Sequence, residues 1–177
     1  MNFCSHCSAP VTLELPHGDD RPRFVCTACH TIHYENPKMV VGCIASWQNR
    51  ILLCRRSIEP RAGMWTVPAG YLENGETMEE GAKREAFEEA RAELEIMAPY
   101  TLLDLTHVNQ VYLIYHARLI HDRVRPGEES TEVGLFREAD VPWDQMAFSS
   151  IHRSLRLYFK DRPAGKFPLH TESIPPP

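Results

Sequence analysis

Apolar residues fall into short β-rich runs separated by turn residues, with two stretches of helical rhythm between them. Met39–Trp47 and Ile51–Arg55 flank the turn Gln48-Asn49-Arg50 and read as a hairpin. Residues 65–70 form a short extended segment. Glu93–Ile96 and Tyr100–Asp104 are strand material divided by Pro99, Val108–Ile120 reads as a central strand, and Glu132–Phe136 as a short one. The first helix opens at Thr77 and Glu80, which have the T-x-x-E form of a capping box. In the second, Ile151, Leu155 and Phe159 recur every four residues, with Ser149 or Ser150 as the expected cap. Pro60 and Gly63, Pro126 and Gly127, and the turn 137–142 mark loops. Strands interspersed with two helices imply an α/β fold, with helices packed on a mixed sheet.

Residues 1–36 follow another plan. Cys4, Cys7, Cys26 and Cys29 give C-x2-C-x18-C-x2-C, the spacing of a four-thiolate zinc site. Val11–Leu15 and Arg23–Val25 read as short strands around a turn at His17–Asp20, a zinc-ribbon plan. So short a module needs metal in place of a core. Two disulfides would satisfy the same cysteines only in an oxidising compartment. His6, His30 and His33 are spare ligands expected at the surface, and Cys43 and Cys54 are expected in the core. The division expected is a zinc ribbon over 1–36, a catalytic-size domain over 37–160, and a loosely ordered Pro-rich tail over 161–177.

Charge narrows the function. The chain carries 19 Lys and Arg against 24 Asp and Glu, a net charge of −5, which argues against binding a polyanion. No apolar stretch reaches the length of a membrane span and no signal-peptide pattern is present, so a cytoplasmic protein is expected. The expected partner is a small nucleotide, and a homodimer is left open. Within the first helix, Glu85, Glu88 and Glu89 lie at i, i+3 and i+4 on one face. Like charges at that spacing oppose one another, and a divalent cation removes the conflict.

The stretch 70–92 fits G-x5-E-x7-R-E-U-x-E-E-x-G-U, where U is apolar, through Gly70, Glu76, Arg84, Glu85, Ala86, Glu88, Glu89 and Ala92. It resembles the Nudix box of the Nudix hydrolases, with Arg91 in place of the glycine that ends the family's helix in a left-handed conformation. Arg91 follows the last glutamate and is expected to point away from the carboxylate face. The segments NPKMVVGCI, VPAGYLE and MAFSSI, together with the zinc ribbon, resemble a narrower group that includes FAD and ADP-ribose pyrophosphatases. The S-Q-P-W-P-F-P-x-S signature of the NADH pyrophosphatases is missing.

The resemblance implies a Nudix α/β/α sandwich and magnesium- or manganese-dependent hydrolysis of a nucleoside diphosphate derivative, with ADP-ribose or FAD expected first and AMP released. NADH-type dinucleotides and nucleotide caps are the alternative substrates; a nucleic-acid-binding zinc ribbon on an inactive Nudix scaffold is the rival class. By the same resemblance Gly70, Glu85, Glu88 and Glu89 hold magnesium, with the carbonyl of Ala69 or Gly70 as a further ligand. Glu85, Glu88, Glu89 and Glu132 are the catalytic set, and Glu128 and Glu129 compete with Glu132. Arg84 supports the ligands with Glu76. Arg55, Arg84 and Tyr71 are expected at the substrate, and Trp65, Tyr71 and Phe148 are the aromatic candidates for stacking on a flat ring.

Overall fold

The computed structural model describes residues 1–176, in two compact units: Met1–Asn36, and a second that begins at Pro37. The first holds β1 (Val11–Glu14), β2 (Arg23–Cys26) and β3 (Ile32–His33) in an antiparallel sheet of order β1-β2-β3. β3 is an addition to the two strands expected. It is two residues long, too short for periodicity to register. Nearly all the unit's large apolar side chains stay out of a core, with Phe3, Leu13, Leu15 and Tyr34 exposed. Four thiols take the core's place. Cys7 Sγ lies 3.4 Å from Cys26 Sγ and 3.5 Å from Cys29 Sγ, and Cys4 Sγ lies 3.7 Å from Cys29 Sγ. A tetrahedral four-thiolate shell with metal–sulfur bonds of about 2.3 Å has sulfur–sulfur edges of about 3.8 Å, so the thiols are spaced for zinc. Backbone N–H groups of His6, Ala28 and Cys29 point at the sulfurs of Cys4 and Cys26, which orients and stabilises thiolates. No histidine nitrogen joins the group among the described residues.

The second unit contains β4 (Lys38–Trp47), β5 (Arg50–Arg56), β6 (Trp65–Thr66), β7 (Ala69–Tyr71), α1 (Met78–Ala90), β8 (Leu94–Leu105), β9 (Gln110–Leu119), β10 (Ser130–Phe136), α2 (Ser149–Asp161) and β11 (His170–Ser173). The main sheet runs β10-β5-β4-β9-β8-β11, with β6 beside β5 and β7 beside β4. β4–β9 and β8–β11 are parallel and the remaining pairs antiparallel, so the sheet is mixed. Alternation along the strands splits the core in two. Val41, Cys43, Leu52 and Cys54 pack with Ala82, Ala86 and Ala90 of α1, while Val40, Ile44, Ile51 and Leu53 pack with Ile151, Leu155 and Tyr158 of α2. This is the α/β/α sandwich. The apolar residues α1 turns to the sheet are small, Gly81 and alanines at i, i+4 and i+8, so it lies close to β4.

Three departures from the sequence expectation have local causes. β8 runs unbroken through Pro99, with register irregularities at Ile96/Ala98 and Pro99/Thr101. The proline is tolerated because β11 covers β8 only from Thr101 onward, so its missing N–H falls on a free edge. The segment read as a loose tail instead supplies β11, paired with β8 from His170↔Thr101 to Ser173↔Asp104. It is anchored by Asp161, whose Oδ2 accepts from the Tyr100 hydroxyl at 2.9 Å and meets His170 Nε2 at 2.7 Å. A two-point ion pair from Arg153 to Glu172 at 2.7 and 2.6 Å adds to this. Finally, α2 starts with Phe148 at the N-cap; Ser149 and Ser150 lie inside the helix and neither caps it.

The end of α1 is a third anchor. Arg91 adopts the left-handed conformation, φ 50° and ψ 31°, and its N–H and that of Ala92 close the last turn on Phe87 and Ala86 carbonyls. The loop after β9 supplies further caps: Arg125 N–H donates to Ala90 O and Gly127 N–H to Glu89 O, both at 3.0 Å. A Cβ at 127 would collide with the Glu88 carbonyl, so only glycine lets this loop lie against the helix.

Two outcomes follow. Removing one zinc ligand by Cys26→Ser should unfold residues 1–36 and leave the second unit folded, since bound zinc contributes on the order of 10 kcal/mol to such modules. Elemental analysis should give one zinc per wild-type chain, and near-native exchange protection in a zinc-free first unit would refute the thiolate site. Arg91→Gly should raise the Tm, by up to about 1 kcal/mol of stability, because a side chain in the left-handed region costs about that much. Arg91→Ala keeps the Cβ and should show no such gain.

Candidate functional site

Arg84, in the second turn of α1, organises the acidic face. Its Nε and Nη2 bond both Glu76 oxygens at 3.0 and 2.8 Å, Nη1 bonds Glu85 at 2.7 Å and Glu88 at 3.0 Å, and Nη2 also donates to the Tyr71 carbonyl at 3.0 Å. A guanidinium has five N–H groups, and all five are engaged. Arg84 lines the pocket, yet it has no donor left over for a substrate; its role is to tie the loop 71–76 to the glutamates. Glu76 is held down to about 2, chiefly by its hydrogen bonds from Arg84.

Glu85 and Glu89 are buried on the sheet side, whereas Glu88 projects outward with half its side chain exposed. A Cβ on Gly70 would strike the Glu85 carboxylate, so the glycine brings the loop backbone against it. Glu89 is only 4% exposed and its Oε2 has no hydrogen-bond partner among the described residues. Burial pushes its carboxyl up to about 8, the Glu85 charge adds to the rise, and Arg56 opposes it. Burial raises Glu85 as well, against the pull of Arg84. Glu89 is thus a buried carboxyl beside a second one, with one oxygen that no protein group among the described residues bonds. A hard divalent cation, taking carboxylate and backbone oxygens, fits that donor set.

These groups form part of the wall of a cavity of about 1020 Å³. Its other sectors come from Arg56 at the end of β5 and Arg61 in the β5–β6 loop, from Tyr71, Gln110 and Tyr112, and from residues 147–151 at the start of α2. Glu128 and Glu129 also line it. The Glu129 charge raises both Glu85 and Glu89.

Several expectations are corrected here. Arg55 does not line the cavity; it pairs with Glu132 at 3.5 Å and donates to the Gly63 carbonyl at 2.8 Å. Arg56 is the arginine that faces the site, with its guanidinium 5.2 Å from the Phe148 ring and its Nε on the Pro60 carbonyl. Strand parity carries the signal: Leu52 and Cys54 pack toward α1, so Arg56 points to the glutamate side and Arg55 away. Glu132 lies in β10, a strand as expected, but opposite Arg55 and outside the cavity wall, so it does not join the glutamates of the site. Trp65 is a core residue, edge-on to Phe136 at 4.9 Å, while Tyr71 and Phe148 do border the cavity. Tyr71 is half exposed, receives a hydrogen bond from Gln110 at 2.9 Å, and has Lys38 over its ring. Arg91 also borders the cavity, and its guanidinium lies 5.2 Å from the Phe87 ring.

Comparison with known proteins agrees with this geometry. Residues 2–35 match the family described as Nudix N-terminal, a zinc ribbon, and residues 36–158 match the NUDIX domain. The crystal structure of a NUDIX hydrolase from Nitrosomonas europaea superposes with a TM-score of 0.95 at 48% identity, covering 98% of this chain and 99% of that one. An ADP-ribose pyrophosphatase from Streptococcus suis shares the fold, with a TM-score of 0.63 at 18% identity over 78% of this chain and all of that one. Among curated relatives, the NAD-capped RNA hydrolase NudC of Chromobacterium violaceum is 29% identical over 87% of this chain and 57% of its own length. The human mitochondrial NAD(P)H pyrophosphatase NUDT13 is 29% identical over 80% of this chain and 38% of its own length. The chain thus spans about half the length of the curated relatives it matches. With a zinc ribbon ahead of a box whose glutamates face one cavity, the chain belongs to the Nudix hydrolase family, whose members use magnesium or manganese, and it carries that family's zinc-ribbon extension.

Proposed function

We propose that the second unit hydrolyses the diphosphate linkage of a nucleoside diphosphate derivative, with magnesium or manganese held by Glu85, Glu88, Glu89 and backbone at Ala69–Gly70. The observation that carries this reading is the buried Glu89 carboxyl with an unpartnered oxygen on the wall of a cavity large enough for a dinucleotide. The metal, when bound, neutralises phosphate charge and acidifies water. The chain's own part is positional. Arg84 fixes Glu85 and Glu88, so the face needs little reorganisation when substrate arrives. Arg56 brings a cation that reaches the glutamate region from the other wall, placed for a phosphate oxygen. We assign the proton-accepting role to Glu129 in place of Glu132, because Glu129 borders the cavity and acts on both buried glutamates.

For the substrate we put ADP-ribose or FAD first, which share an adenosine diphosphate half, with Tyr71 and Phe148 as the aromatic faces for a flat ring. NADH-type dinucleotides and nucleotide caps are the second reading, favoured by the names of the curated relatives. A nucleic-acid-gripping zinc ribbon is disfavoured by charge: residues 1–36 contain two arginines and four acidic residues.

Turnover of a panel of ADP-ribose, FAD, NADH, a nucleoside triphosphate and NAD-capped RNA with magnesium, ranked by kcat/KM, is expected to place the first two ahead and to yield AMP from both. Glu89→Gln should cost orders of magnitude in rate with the fold intact, and Glu129→Gln about 10²–10⁴-fold, while Glu132→Gln stays near wild type. Undiminished turnover in Glu89→Gln would remove the hydrolase assignment, and a triphosphate or NADH at the top of the ranking would replace the substrate.

A further inference from the structure

The cavity contains a second group of polar atoms that no protein group satisfies. α2 begins with Phe148 at its N-cap, and no side chain caps it. The backbone N–H groups of Ser149, Ser150 and Ile151 meet no acceptor among the described residues, and all three residues border the cavity. Ser150 is fully buried, and its hydroxyl has no partner either. No acidic side chain occupies the first turn, so the positive end of the helix dipole is uncompensated. Arg56, stacked on the N-cap ring of Phe148, adds a cation beside it. Free N–H groups, a buried hydroxyl and positive potential together recognise a compact anion. A neutral heterocycle has no use for three converging N–H donors.

We propose that the N-terminus of α2 with the Ser150 hydroxyl is an anion subsite, which holds the phosphoryl group of the substrate that water does not attack. The assignment rests on the reading of the cavity as a diphosphate hydrolase site, and it divides the two phosphates between walls. The glutamates and their cation take one, and the helix end takes the other. The division gives the substrate a fixed polarity, because only one phosphate reaches the acidic wall.

Two substitutions test it with little risk to the fold. Ser150→Ala removes a hydroxyl that bonds nothing, so the Tm should hold or rise. Ser149→Pro deletes one N–H at the first helical position, where proline is favoured, and Phe148 at φ −132° and ψ 137° already has the extended backbone a following proline requires. Inorganic phosphate is titrated calorimetrically into the full zinc-bound chain without added magnesium, and KM and kcat are measured with magnesium on the best substrate. Each variant should weaken phosphate binding and raise KM by about tenfold, with kcat within about twofold of wild type. Glu89→Gln should bind phosphate like wild type while turning over no substrate. Unchanged phosphate affinity and KM in both variants, at native Tm, would overturn the subsite. Turnover by Glu89→Gln would instead overturn the hydrolase reading, and the phosphate titration would still be readable without it.

Discussion

The single side chain on which the site depends is Arg84. Three carboxylates and a backbone carbonyl converge on one guanidinium, and none of them is covalently constrained to do so. Glu85 and Glu88 on one face of a helix repel each other, and Glu76 comes from the loop before it. Charge-assisted, two-point hydrogen bonding turns that repulsion into a fixed arrangement. The arrangement is possible because the apolar residues that α1 packs on the sheet are glycine and alanine, close enough that Glu85 and Glu89 are drawn below the surface. Arg84 compensates Glu85 and does not reach Glu89, whose Oε2 has no hydrogen-bond partner among the described residues. One carboxyl oxygen on the buried side of the acidic face is therefore left unbonded by any described protein group.

Much of this was legible from residue order. The capping box at Thr77 and Glu80 forms as expected, with both reciprocal hydrogen bonds present. The cysteine spacing and the i, i+3, i+4 glutamates map to local geometry, because within one turn of helix or one knuckle the chain has few alternatives. Long-range choices were harder. Whether Arg55 or Arg56 faces the glutamates depends on which side of β5 packs on α1, and two adjacent arginines look alike until that side is known. Parity with Leu52 and Cys54 would have decided it. Glu129 and Glu132 are three residues apart, yet the strand starts between them at Ser130, so one faces the cavity and the other faces Arg55. The serines of MAFSSI suggest a cap. The helix starts earlier than that, which frees their N–H groups and the Ser150 hydroxyl. The prolines near the end of the chain argue for disorder, while Asp161, Tyr100, His170 and the Arg153–Glu172 pair lie too far apart in sequence for the anchoring to be seen.

Family membership and local chemistry divide the explanation between them. The box positions account for the acidic wall of the cavity. Other groups on the cavity wall lie outside the box: Arg56 at the end of β5, Arg61 on the β5–β6 loop, and the uncapped start of α2. Arg91, where the box pattern has glycine, holds a backbone conformation that glycine would adopt without strain, with its guanidinium over the Phe87 ring.

β11 has a consequence for one edge of the main sheet. Without it, β8 would be the outermost strand, presenting the N–H and C=O groups of Thr101–Asp104 to any other extended chain. The last residues of the fold cover that stretch with a strand only four residues long, whose sequence His-Thr-Glu-Ser is polar and whose Glu172 is already committed to Arg153. The sheet therefore ends on an edge that is short, charged and occupied, a poor template for a second molecule. A segment whose composition suggests an expendable tail acts as a selvedge, the finished border that stops a woven sheet from being extended.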